Sequence, residues 1–274
     1  SAGANITTAS ASIFIGFESG SAVTTNTENI GIGYRSGYAL TGTKNTMIGY
    51  KSGLNGTSHD ENVIIGYEAC GLGVLTGNEN VVISCNDNSG ANVTTGVRNV
   101  GIGKNTLDDP DTENDNIAIG YNALSGSVAG GEYNVAIGNY AGDALTSGDN
   151  NVILGYNAGA NITTADQCVA IGTGTLNGSG GTTGSYNTVV GYQAMYRSGG
   201  AVYYNTFIGS NSGSGDWSGG ANSNTAVGAS TMTGVMTAAS INNVAVGRDT
   251  LNALTTGANN TAVGKGAGTA NLTG

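Results

Sequence analysis

The sequence is poor in proline, cysteine, charge and large aromatic side chains, and each shortage excludes something. A single proline in 274 residues, with glycines that keep no three-residue period, excludes a collagen helix. The three cysteines, Cys70, Cys85 and Cys168, form no CxxC pair. An odd set without that spacing argues against a disulfide framework and against a zinc site, so they read as small buried or semi-buried fillers. Charged residues make up 9% of the chain and the formal net charge is −10. A phosphate backbone is therefore repelled, and no nucleic acid is expected as a partner. No apolar run approaches the roughly 18 residues of a membrane span, and no export signal is recognisable, so no membrane insertion is expected. His59 is the only histidine and has no serine or cysteine close by in sequence. It reads as a solvated turn residue, and no catalytic triad is expected.

What the chain has instead is repetition. Aligned on a branched apolar residue followed by glycine, it places Gly16, Gly33, Gly49, Gly66, Gly103, Gly120, Gly138, Gly155, Gly172, Gly191, Gly209, Gly228, Gly247 and Gly264 in one column, with Ser84 filling the single gap. The steps run from 16 to 19 residues. That period is too short for a helical hairpin and suits one turn of a β-solenoid. The expectation is an all-β parallel solenoid (β-roll or β-helix) of about 15 rungs, with residues 1–274 forming one repetitive shaft whose two ends are cut within a repeat.

The columns around the glycine carry the physics. The residue before it is Ile, Leu or Val in every copy, and Val, Ile or Thr stands two residues earlier in nearly every copy, as in Val63, Val135 and Thr188. This period of two predicts a short strand whose branched residues face the solenoid core. The residue between them is also apolar or small, for example Ala118, Ala136, Ile153 and Phe207. A strand apolar on both faces is buried on both, so the second face is expected to meet another copy of the chain. Four residues before the glycine, 13 copies carry asparagine: Asn29, Asn45, Asn62, Asn80, Asn99, Asn116, Asn134, Asn151, Asn187, Asn205, Asn224, Asn243 and Asn260. Stacked asparagines form amide ladders along a cross-β axis, a structural role. The glycine is expected to turn a corner through a positive φ or a close approach. Small residues three positions later, followed by Gly, Leu or Met, are expected to line a returning strand.

Segments such as NVAIGNYAG, NNVILGYNAG, NIAIGYNAL and NNTAVGKGAG resemble the NTAIGYxAL repeats of bacteriophage tail-fibre proteins, a family that often ends in a self-cleaving chaperone domain. The N-x-V-A-I-G core is also similar to the head repeats of trimeric autotransporter adhesins, whose period is shorter. The resemblance covers essentially the whole chain. It implies a homotrimeric rod in a virion tail fibre, or alternatively in a bacterial cell-surface adhesin stalk. The implied partners are further copies of the chain and a host surface receptor or polysaccharide.

Site chemistry is sparse. Aromatic residues follow the glycine at Phe17, Tyr34, Tyr50, Tyr67, Tyr121, Tyr156 and Tyr192, which reads as a structural ladder before a sugar platform. The run Asp108, Asp109, Asp111, Glu113 and Asp115 lacks the order of a calcium loop and reads as a solvated acidic turn. With 18 acidic residues, most of them in turns, and no insertion to build a cleft around a carboxylate pair, a polysaccharide-cleaving enzyme is not expected. Paired threonines in the turns fit an ice-binding face poorly, because adjacent residues of a strand point to opposite sides. No metal or other cofactor is expected. Specialised surface is sought in the longer turns at 178–185, 198–204, 214–223 and 234–242. The candidate receptor contacts there are Tyr196, Tyr203, Tyr204 and Trp217, the lone tryptophan, which is either an exposed anchor or a cap on its own loop.

Overall fold

The structure, a computed structural model, describes residues 1–8, 10–56, 58–71, 75–84, 95–108, 112–126, 131–178, 181, 183–218 and 220–269. Cys85, Asp109, Asp111 and parts of the 178–185 and 214–223 turns lie outside the described residues. The fold is an all-β parallel solenoid of about 13 turns. The chain divides into two compact units, Ser1–Tyr133 and Asn134–Gly274.

In the first unit, β1 (Ile13–Ile15), β2 (Ile30–Ile32), β3 (Thr46–Ile48), β4 (Val63–Ile65), β5 (Val81–Ile83), β6 (Val100–Ile102) and β7 (Ile117–Ile119) pair in chain order, all parallel. In the second, β8 (Val135–Ile137), β9 (Val152–Leu154), β10 (Val169–Ile171), β11 (Thr188–Val190), β13 (Thr206–Ile208), β15 (Thr225–Val227), β16 (Val244–Val246) and β17 (Thr261–Val263) do the same. Register follows the repeat, with Val63, Ile64 and Ile65 opposite Val81, Val82 and Ile83. The second unit also holds a two-stranded parallel sheet of β12 (Arg197–Gly199) and β14 (Asp216–Ser218).

Strands last only three residues because the backbone changes hand at both ends. The residue before each column asparagine sits in the left-handed region, as in Glu61 at φ 60° and Tyr204 at φ 59°. The glycine that follows the strand takes φ between 120° and 139°. In Gly33, Gly49, Gly155 and Gly209 a Cβ would fall closer than 3.0 Å to the carbonyl of the next coil's glycine. The corner therefore needs glycine twice over, for its φ and for the close passage of the neighbouring coil.

The strand faces are the reverse of the sequence expectation. The middle residue points into the solenoid, and Met47, Ile64, Val82, Ala118, Ala136, Ile153 and Phe207 are fully buried. The branched residues flanking it face outward and remain partly exposed: 38% at Ile83, 39% at Ile137 and 40% at Ile208. The reason is volume. A coil of this length encloses a thin interior, and the middle residue shares it with the residue four places after the glycine. Large middle residues face glycine, as in Phe14 with Gly20, Met47 with Gly53, Ile153 with Gly159 and Phe207 with Gly213. Several small ones stand at the same level as leucine or methionine, as in Gly101 with Leu107, Ala118 with Leu124, Ala170 with Leu176 and Ala226 with Met232, while Gly31 and Gly37 leave room that Phe14 and Met47 of the adjoining coils approach. Such exchanges keep a layer filled, as close packing demands, and a buried leucine contributes about 2 kcal/mol of apolar burial.

The returning strip is a turn rather than a strand. Left-handed residues recur two and four places after the glycine, as in Asn122 (φ 55°) and Leu124 (φ 46°), and an alternating hand precludes an extended chain. Coils are nonetheless bonded there. The Arg35 N–H donates to Phe17 O at 2.9 Å, toward the preceding coil, and the Gly37 N–H donates to Ser52 O at 2.9 Å, toward the following one. The small residue between them is buried. As serine it donates its hydroxyl to a strand carbonyl of the next coil, for example Ser36 to Met47 O at 2.8 Å. As threonine it reaches the next corner glycine, for example Thr175 to Gly191 O at 2.6 Å.

Candidate functional site

The asparagine column is buried from Asn29 to Asn243, with Asn260 half-buried, and it joins coils chiefly through the main chain. Up to Asn243, Nδ2 donates to the carbonyl three residues before the next column position, as Asn99 does to Glu113 O at 2.8 Å and Asn205 to Ala221 O at 3.0 Å. Each Oδ1 accepts the next column residue's backbone N–H, as Asn99 does from Asn116 at 2.9 Å. Direct amide-to-amide bonds accompany these in part of the column, for example Asn151 to Asn134 at 3.0 Å. The bonds satisfy main-chain groups that the turns leave inside the coil. Two other residues occupy the column. Ser12 accepts the Asn29 N–H at 3.1 Å, and the Cys168 thiol reaches Gly184 O at 3.6 Å, the carbonyl that an asparagine would have bonded. Cys70 and Cys168 are both buried free thiols, and burial pushes Cys70 up to about 12.

His59 is fully buried, not a solvated turn residue. It lies three residues before Asn62, with Nδ1 3.0 Å from Asn45 Oδ1 and 3.2 Å from Asn62 Nδ2. Nε2 has no hydrogen-bond partner among the described residues. The ring takes space that Leu40, Leu145 and Ile162 fill in other coils. Gly56, at their position in the repeat, opens that space: a Cβ there would fall closer than 3.0 Å to Nε2. Burial pushes the imidazole down to about 4, because its charged form would place a second donor where no acceptor waits.

The aromatic column is a stack. Phe17, Tyr34, Tyr50 and Tyr67 lie with successive centroids 5.6, 5.1 and 5.1 Å apart and nearly parallel planes. Their flat faces are turned toward one another and their edges toward solvent. A sugar platform needs a free ring face, and Tyr34 and Tyr50 are stacked on both of theirs, as the ladder reading expects. The acidic turn is not uniformly solvated: Glu113 is buried and accepts the Thr112 N–H at 3.0 Å, while Asp115 pairs with Arg98 at 2.6 Å, which lowers its pKa.

The long turns of the second unit are the specialised region. Trp217 is fully buried and packs edge-on to Phe207 at 4.8 Å, with a parallel bridge to Met236. It therefore serves as the cap of its own loop, because the β14 alternation that aims it inward turns Asp216 outward. Tyr204 is 61% exposed and stacks on Tyr186 at 4.9 Å, with Tyr203 tilted against it at 6.4 Å. Tyr196 stands apart from those two. It lines a cleft of about 460 Å³ together with Gln193, Arg197, Asn211, Ser214, Gly215, Asp216, Thr233 and Val235. Of the four candidate contacts, only Tyr196 reaches this cleft. The RSG and DWS segments of these coils pair as β12 and β14, and no length signal in the sequence marks them, since coils of 18 and 19 residues also occur in the first unit. Among protein-family models, curated proteins and solved structures, none matches this chain.

Proposed function

We propose that the chain is a non-catalytic fibre segment, built as a homotrimer, that presents its variable turns to a host-surface glycan in a phage tail fibre. The observation that carries this is the outward face of the strands. Each coil turns two branched side chains outward, both apolar in coils such as that of Val135 with Ile137 and a threonine beside an apolar residue in coils such as that of Thr206 with Ile208. Stacked coil on coil within each unit, these make a largely apolar strip, and an exposed patch of that kind marks an interaction surface. A second and third copy offer the same strip in the same register. The resemblance of the rung motif to tail-fibre repeats supports the same assembly and a virion setting. The turns differ from coil to coil while the strands repeat, so recognition falls to the turns.

Light scattering on the purified chain at micromolar concentration tests the assembly. Three times the 27.0 kDa chain mass is expected, and Ile137→Asp with Ile208→Asp should release single chains. A monomeric wild type would sink the trimer. Incubation with host capsule should release no new reducing ends.

A further inference from the structure

We infer that the cleft beside β12 and β14 binds a neutral saccharide, an inference that rests on the glycan-presenting reading above and assigns it a site. The argument starts from register. Arg197 pairs with Asp216 across the short parallel sheet, and the Trp217 to Met236 bridge continues the row to Val235. Trp217 points inward, so Arg197, Asp216 and Val235 form the outward row, and all three are exposed. Two opposite charges thus face each other on neighbouring strands, yet among the described residues neither enters an ion pair. A guanidinium and a carboxylate held side by side and unspent offer a donor fork and an acceptor to one pair of vicinal hydroxyls.

The rest of the lining suits the same ligand. Gln193 and Asn211 add amides that both donate and accept, while Tyr196 and Val235 supply the apolar surface that a pyranose C–H face requires. The charges at the site cancel, and a chain of net charge −10 repels polyanions, so a neutral sugar is favoured over a sulfated or phosphorylated one. The volume suits two or three hexose units. No residue of the outward strand columns lines the cleft, so covering those columns in a trimer uses a different set of side chains.

Trp217 is the only tryptophan and neighbours Asp216 in β14, so its fluorescence reports on the cleft. The purified chain is titrated with maltose, cellobiose, lactose and N,N′-diacetylchitobiose, following Trp217 emission and, independently, calorimetric heat. At least one of these is expected to bind saturably. Tyr196→Ala, at a half-buried position, and Asp216→Asn, at an exposed one, should each weaken it at least tenfold while light scattering and circular dichroism stay unchanged. Tyr50→Ala, in the aromatic stack of the first unit, should leave it intact. No binding by any of the four, or binding indifferent to both cleft substitutions, overturns the inference. Because assembly is read by light scattering on the same samples, a trimer that ignores sugars refutes the cleft alone, whereas a monomer that binds them refutes the assembly and supports the cleft.

Discussion

The two units use one rung and elaborate it differently. In Ser1–Tyr133, decoration runs from coil to coil: Arg35 with Glu18, Lys44 with Glu61, Lys51 with Glu68 and Arg98 with Asp115 all pair across neighbouring coils at 2.6 to 3.2 Å. The stack from Phe17 to Tyr67 lies in the same unit. In Asn134–Gly274 the described residues show only the sequence neighbours Arg248 and Asp249 as an ion pair. That unit instead pairs segments of two neighbouring coils as a second sheet, with Trp217 as its buried member and a cleft beside it. The difference shows that the register of a solenoid can be read out on its surface at little energetic consequence, while new chemistry needs a coil that departs from the repeat and a core of its own to support it.

The largest test of that contrast is Trp217→Ala. Removing a fully buried indole from its place against Phe207 should cost about 3–5 kcal/mol. Hydrogen exchange should show the loss in peptides of 188–246 and leave the first unit's protection unchanged; a uniform loss in both units would show that the second sheet is not a local core.

A pH titration addresses the first unit. The folded His59 titrates near 4 against about 6.5 when unfolded, so the unfolded chain binds the proton more tightly. Stability contributed by the neutral ring is complete above pH 6.5 and is lost as pH falls toward 4, by roughly 3 kcal/mol in all. Denaturant midpoints should fall over that window in the wild type and stay level, for this contribution, in His59→Leu. A variant that keeps the full pH dependence would refute a role for His59.

Cys168→Asn asks whether the interrupted column is a weakness of the second unit. The amide should recover the bond to Gly184 O that the thiol makes at 3.6 Å, raising stability by about 1 kcal/mol. A lower denaturation midpoint in the variant would count against the column as a source of stability. Smallest of all is Glu61→Gln. The Lys44 to Glu61 pair is exposed on both sides, and such pairs contribute little, so no measurable change in midpoint is expected.

Much of the architecture was legible because a repeat announces itself. Column glycines imply corners, and the asparagine column implies bonds between stacked coils. Other features were hidden for physical reasons. Gly56 stands at a repeat position that varies widely, apolar at Val23, Leu40, Leu145 and Ile162 but not in every coil, and only the packed coil shows that the His59 ring fills its space. Arg197 and Asp216 are 19 residues apart in the chain, and no local pattern brings them together; the pairing of β12 with β14 does. Trp217 looked equally suited to solvent and core until β14 assigned its alternation.

By itself the sequence determined the period, the parallel register and the columns that stack, since those follow from spacing and from which residues tolerate a corner. Which side of each strand faces inward was left to the tertiary structure. Both faces are apolar, so hydrophobicity could not choose between them. The choice was made by volume, because a thin coil holds one middle residue and its partner from the turn, and the paired branched side chains are left outside.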